Sequence, residues 1–334
     1  MNAQPDTGAV SPDSGDFEVR EATAADEAAI RDLFRTIFKH EMTREHWHWK
    51  YARDHSRAIV VYRGSQLVAH YGGVGLDMLA EGKACKAIQI TDLMVDPSFR
   101  HAVRSKSPFY QSAKMFLERF VGFGKPFLYS FGFPSDRAML LSEKLGLHVP
   151  VGCMWELTWP LATDDYVSGY KVVRLDSQNF AGMADKINHL WEQLKTGLGK
   201  HFTLVKNADF IRWRFIERPA KNYEVYLLLG KLLHTPKGLI VLHRDQGNCR
   251  LMDLLSGLNN LKAMIGEAKR LAAVGGGKQL MTWSTDVFVD RFECGAPGSR
   301  KLPVIIPANS CSPGPSPEQQ KNKWWLLPGD TDYL

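Results

Sequence analysis

The chain has 334 residues, 44% of them hydrophobic and 23% charged, the profile of a soluble protein with one large domain or two modest ones. A formal net charge of +6 allows an anionic ligand but falls short of a nucleic-acid-binding arm, and no apolar run approaches the ~20 residues that cross a bilayer. Nucleic-acid partners and membrane insertion are therefore not expected, and five scattered cysteines without metal-ligand or redox spacing read as reduced thiols of a cytoplasmic protein.

Residues 1–16, polar and rich in Pro and Gly, form an expected disordered tail without the apolar core of a signal peptide. FEVREATAADEAAIRDLFRTIF, residues 17–38, predicts a strand, then a helix capped by Thr23 with Ile30, Leu33, Phe34 and Ile37 on one face. AIVVYRG and QLVAHYGGVGL flank Gly64 and Ser65 as a hairpin, and KACKAIQITDLMV follows as a long strand. After the basic stretch VDPSFRHAVRSKSPFY come an amphipathic helix with Phe109, Ala113, Phe116 and Phe120, the buried strand PFLYSFGF, and a helix capped by Ser135 or Asp136 and stopped at Gly146.

From residue 170 the pattern recurs. YKVVRL predicts a strand and NFAGMADKINHLWEQLK a helix. Then WRF echoes WKY, YEVYLLLG echoes AIVVYRG and LMDLLS echoes ITDLMV, so Trp213 matches Trp49 and Asp253 matches Asp92. Only the first copy carries the basic turn. Gly275 to Gly277 read as a helix stop, the Pro/Ser-rich NSCSPGPSPEQQKNK as a linker or long loop, and WWLLPGDTDYL as an apolar end that docks on a domain.

Three segments, ITDLMVDPSFR (90–100), RSKSPFYQSAKMF (104–116) and FGFPSDRAMLLSEKLGL (131–147), together resemble the GNAT acyltransferase superfamily. The second half resembles it more weakly, through FIRWRFIERPAKNYEVYLLL and MDLLSG. The resemblance implies an α/β protein of two tandem GNAT-like domains, each a central mixed, mostly antiparallel sheet flanked by helices. Residues 17–157 would form the first domain, with the acyl-CoA site, and 170–334 a second, degenerate one. It implies transfer of an acetyl or other short acyl group from acetyl-CoA or another acyl-CoA to a small-molecule or peptide amine.

In that family the loop after the central strand reads Arg/Gln-x-x-Gly-x-Gly/Ala and holds the CoA diphosphate with the following helix start, where unsatisfied amides and the helix dipole favour an anion. Arg104-Ser105-Lys106-Ser107 matches with serine at both glycine positions. Alternatively Arg100 begins the loop, and the rest is an insertion. The resemblance thus assigns Arg100, Arg104, Ser105, Lys106, Ser107 and Phe109 to the cofactor, and the amides of Leu93, Met94 and Val95 to the thioester end.

A base is often a carboxylate or a water relay in this family, so Asp92 and His70 are candidates; an ordinary strand-end aspartate and a sheet histidine are the alternative readings. Ser142 stands where the family's frequent tyrosine acid would be. The departing thiolate must therefore leave unaided, use water, or take its proton from Tyr129 or Tyr110. No zinc, P-loop, dinucleotide or Ser-His-Asp signature is present, and no metal is expected. An aminoacyltransferase of the peptidoglycan-peptide type and a non-catalytic binding or scaffold protein are the rival readings.

Overall fold

A computed structural model describes residues 17–52, 55–100, 106–161, 167–245, 247–292 and 298–331. The β-branched and aromatic runs pair into two mixed sheets, and the apolar stripes form helices that flank them. This is the α/β architecture that the sequence predicts. None of the described helices is long and apolar enough to cross a membrane.

The first sheet takes β1 (Glu18–Glu21), β2 (Arg57–Arg63), β3 (Gln66–Ala80), β4 (Lys83–Val95) and β5 (Tyr129–Phe131) in that spatial order. Its neighbours run antiparallel except β4 and β5, which are parallel. Side chains alternate across a strand, so Ile59 packs with Phe116 and Leu117 of α3 (Pro108–Phe120), whereas Val60 packs with Ile30 and Leu33 of α1 (Glu27–Phe38). A short helix, α2 (Arg44–Tyr51), and α4 (Asp136–Lys144) complete this half. Ser135 caps α4 by accepting from Ala138 N–H, and Gly146 follows at φ +70°, as the turn chemistry predicts.

The strand β6 (His148–Pro160) crosses into the second sheet. The sequence pattern does not single it out, because Pro150 and Gly152 interrupt its alternation. Further along the chain come β7 (Tyr170–Leu175), α5 (Ala184–Leu198), β8 (Phe202–Leu204), α6 (Ala208–Ile211), β9 (Tyr223–Gly230), β10 (Pro236–Asp245), β11 (Asn248–Leu255), α7 (Leu261–Val274), β12 (Gln279–Thr285), α8 (Val289–Phe292) and β13 (Gly298–Asn309). The second sheet has the order β13-β6-β12-β11-β10-β9-β7, with one parallel pair, β11 and β12.

After α9 (Pro317–Gln320), β14 (Trp324–Trp325) lies parallel to β8, which in turn pairs with the end of β3. Trp324 to Leu327 are buried. That apolar end docks as its composition predicts, and it joins a core cluster that draws on both sheets.

Candidate active site

The strand β4 pairs with β5 only at Ala87, Ile88 and Gln89, opposite Tyr129, Ser130 and Phe131. The ladder ends at Gln89, so among the described residues the β4 edge from Ile90 to Val95 has no strand partner on that side. On its other side β4 remains paired to β3, with a register shift between His70 and Gly72. Asp92 sits at this bulge with φ +49°, a left-handed conformation that aspartate tolerates better than most residues. A bulge of this kind re-aims the residues that follow, here Leu93, Met94 and Val95.

Four side chains meet at the bulge. Thr43 caps α2 by accepting from His46 N–H, and this short helix aims its last two residues at β4. Lys50 Nζ donates to Asp92 Oδ2 at 2.8 Å, and the Tyr51 hydroxyl donates to the same oxygen. The Lys50 and Asp92 side chains are only 4% and 7% exposed, so each charge depends on the other. His70 Nδ1 lies 2.8 Å from the Asp92 carbonyl oxygen.

That contact requires the proton on Nδ1, which leaves Nε2 a lone pair that is buried without a partner. Burial holds the His70 pKa below its usual value, so the ring is neutral and pins the bulge. A Cβ on Gly72 would stand 2.5 Å from His70 Cε1 and 3.1 Å from the Tyr51 hydroxyl. Glycine is what lets both rings close over the strand.

Beyond β4, the Arg100 side chain folds back, and its Nε donates to the Val95 carbonyl at 3.1 Å. Arg104 and Ser105 lie outside the described residues. Lys106 is exposed, and Ser107 caps α3 by accepting from Tyr110 N–H at 3.2 Å, with Pro108 at the first helical position. Pro108 has no N–H and the cap takes that of Tyr110, which leaves the Phe109 amide at the mouth of the helix. The Phe109 ring tilts against Tyr71, with centroids 6.4 Å apart.

Residues 18–116 match the acetyltransferase (GNAT) domain family. That segment, from β1 into α3, is similar to the GNAT family.

Among solved structures the chain resembles a probable N-acyltransferase of Enterococcus faecalis at TM-score 0.68 and 13% identity, over 88% of this chain and 72% of that one. A GCN5-related N-acetyltransferase of Kribbella flavida gives 0.62 at 13% identity, over 88% and 70%. N-myristoyltransferase of Saccharomyces cerevisiae with bound myristoyl-CoA gives 0.54 at 11% identity, over 93% and 88%. No curated protein matches the chain significantly. The matched segment contains α2, the bulge and most of α3.

The remaining candidates lie elsewhere in the GNAT framework. Tyr129 pairs with Ala87 and packs its ring on Phe202, centroids 5.1 Å apart, at the end of β4 away from Asp92. Burial pushes its hydroxyl up to about 12. Tyr110 faces a surface hollow with Val19 and Lys114. Ser142 is buried with its hydroxyl 2.8 Å from His148 Nδ1, and burial lowers His148 to about 4.

Sequence reasoning missed Lys50 and Tyr51. Their signal was the cation-aromatic cluster HWHWKY, which as a sequence reads more readily as core packing at a helix end than as an acceptor surface.

Proposed function

We propose that this chain is an acyl-CoA-dependent N-acyltransferase that moves an acetyl group from acetyl-CoA to a small-molecule or peptide amine. The observation that carries this reading is the unpaired β4 edge after Gln89, bounded by the bulge at Asp92 and ending at the α3 start. An extended pantetheine arm finds backbone partners along such an edge, with the CoA diphosphate at Arg100, Arg104, Ser105, Lys106, Ser107 and the Phe109 amide. In this reading residues 17–157 are the cofactor-binding copy and 170–334 the degenerate one. The reciprocal bonds of Trp49 and Trp213, each indole N–H donating to the other's carbonyl at 2.8 and 3.1 Å, support a duplication.

The amine nitrogen attacks the thioester carbonyl carbon, the C–N bond forms, and the C–S bond then breaks. Amides of Leu93, Met94 and Val95 stabilise the oxyanion between these events. The amine gives up one proton to Asp92, which Lys50 and Tyr51 hold in place, and His70 keeps the bulge in register. With Tyr129 distant and Ser142 bonded to His148, water protonates the departing thiolate.

Calorimetric titration with acetyl-CoA tests the reading. Binding is expected, and weaker binding in a chain carrying Arg104→Ala and Lys106→Ala. Neither heat nor a thermal shift at millimolar acetyl-CoA would sink the enzyme reading. Unchanged affinity in the double variant would move the diphosphate elsewhere.

A further inference from the structure

The second sheet carries a row of cationic and aromatic side chains that the proposed acyl transfer does not use. Tyr223, His243 and Arg250 are direct cross-strand partners on β9, β10 and β11, so they share one face. The neighbour of His243, Arg244, points the other way and donates to the Leu271 and Ala272 carbonyls of α7. The row therefore faces away from α7.

It also adjoins the bulge. Arg218 donates to the Tyr223 hydroxyl at 2.8 Å, and its guanidinium carbon lies 5.1 Å from the centroid of Trp49, the residue before Lys50.

Within this row Arg250 is short of a partner. The Arg250 guanidinium lies 5.5 Å over Trp283, and its Nη1 is buried without a hydrogen-bond partner. Glu156 is already taken, accepting from Arg300 at 2.7 Å and from the Trp283 indole at 3.2 Å. Lys221 is partly buried, and burial together with the nearby Arg218, Arg214 and Arg250 lowers its pKa against the pull of Asp245 alone. Lys221 and Arg250 repel one another in a half-desolvated place, and an entering oxyanion relieves that repulsion.

We propose that this row recognises an oxyanion on the acceptor, a carboxylate or a phosphate carried by the same molecule as the reacting amine, with Lys221 and Arg250 reading its charge. The word acceptor rests on the acyl-transfer reading; the anion site itself does not.

Calorimetric titration of the full chain with inorganic phosphate and, separately, with acetate tests the site. At low salt one or both should bind, and Lys221→Gln or Arg250→Gln should weaken that binding about tenfold, as loss of a charge-assisted contact predicts. The stronger of the two probes tells a phosphate-bearing acceptor from a carboxylate-bearing one. Lys221 lies between the turn at Pro219 and Ala220 and the start of β9, so its variant keeps the test open if Arg250→Gln disturbs packing on Trp283.

No binding of either anion, or equal affinity in the parent and Lys221→Gln chains, overturns the proposal. Acetyl-CoA titrated into the same samples separates the two readings. Failure of acetyl-CoA alone removes acyl transfer and leaves the anion site, and failure of the anions alone does the reverse.

Discussion

Asp92 on β4 and Asp253 on β11 occupy matching places in the two sheets, each beside a register shift and each held by a lysine. Their surroundings differ. Asp92 follows the point where β4 loses its outer partner, and the next residue, Leu93, is 39% exposed. Asp253 is fully buried, with both its oxygens bonded to Lys206 Nζ at 3.0 and 2.8 Å.

A second carboxylate, Asp330, reaches the same Lys206 at 2.9 Å. The neighbouring Gly329 packs so closely that a Cβ there would stand 3.2 Å from Asp253 Oδ2. The C-terminal segment thus fills at β11 the kind of space that β4 leaves at its edge. One lysine-aspartate pair borders an opening, and the other has become a fastening.

Lys206→Met strands two buried carboxylates and should cost about 3–5 kcal/mol in urea unfolding, with turnover per folded molecule unchanged. A loss under 1 kcal/mol would mean that the fastening is not one.

The two centres should also answer acid with opposite sign. Burial raises Asp253 to about 6, so the folded state holds a proton that the unfolded chain has released. Stability from this group is then present at low pH and lost as pH rises from about 4 to about 6. His70, lowered by burial, contributes stability that is present above about pH 6.5 and lost as pH falls. Unfolding curves of Asp253→Asn and His70→Asn across this range should show the two slopes removed separately, and parallel curves would refute the assignment.

Asp92→Asn should lower the rate per folded molecule about 10²-fold. An unchanged rate would make Asp92 a fastening like Asp253. The smallest effect is expected at the contact of α2 with the residues after α6, where Trp49→Phe keeps the stack on Trp213 and loses one indole donor, at a cost of about 1 kcal/mol.

Much of this was legible in the sequence where local pattern decides. The strand β4 was readable from end to end because alternation and β-branched residues run from Lys83 to Val95, and Ser135 and Gly146 mark their helix through local chemistry. The pairing of Asp92 with Asp253 was visible as a repeat. Their partners were not, because Lys50 reaches β4 from a helix and Lys206 meets Asp330 across 124 residues, and no short-range pattern records such a meeting. The destination of β6 is likewise a tertiary choice between two available sheet edges.

The segment Pro328–Asp330 has a kinetic consequence. Its Asp330 carbonyl accepts from Gln89 on β4, 241 residues away, while its side chain serves Lys206 and the Gly329 carbonyl accepts from Arg214. Contacts so distant along the chain close late, because loop-closure entropy must be met before they form. A nascent chain that has already made β4 and β11 still holds an uncompensated Lys206 until these residues leave the ribosome. The fold should therefore be reached in one late step, and a fragment ending before residue 324 should collapse without locking and be prone to aggregate.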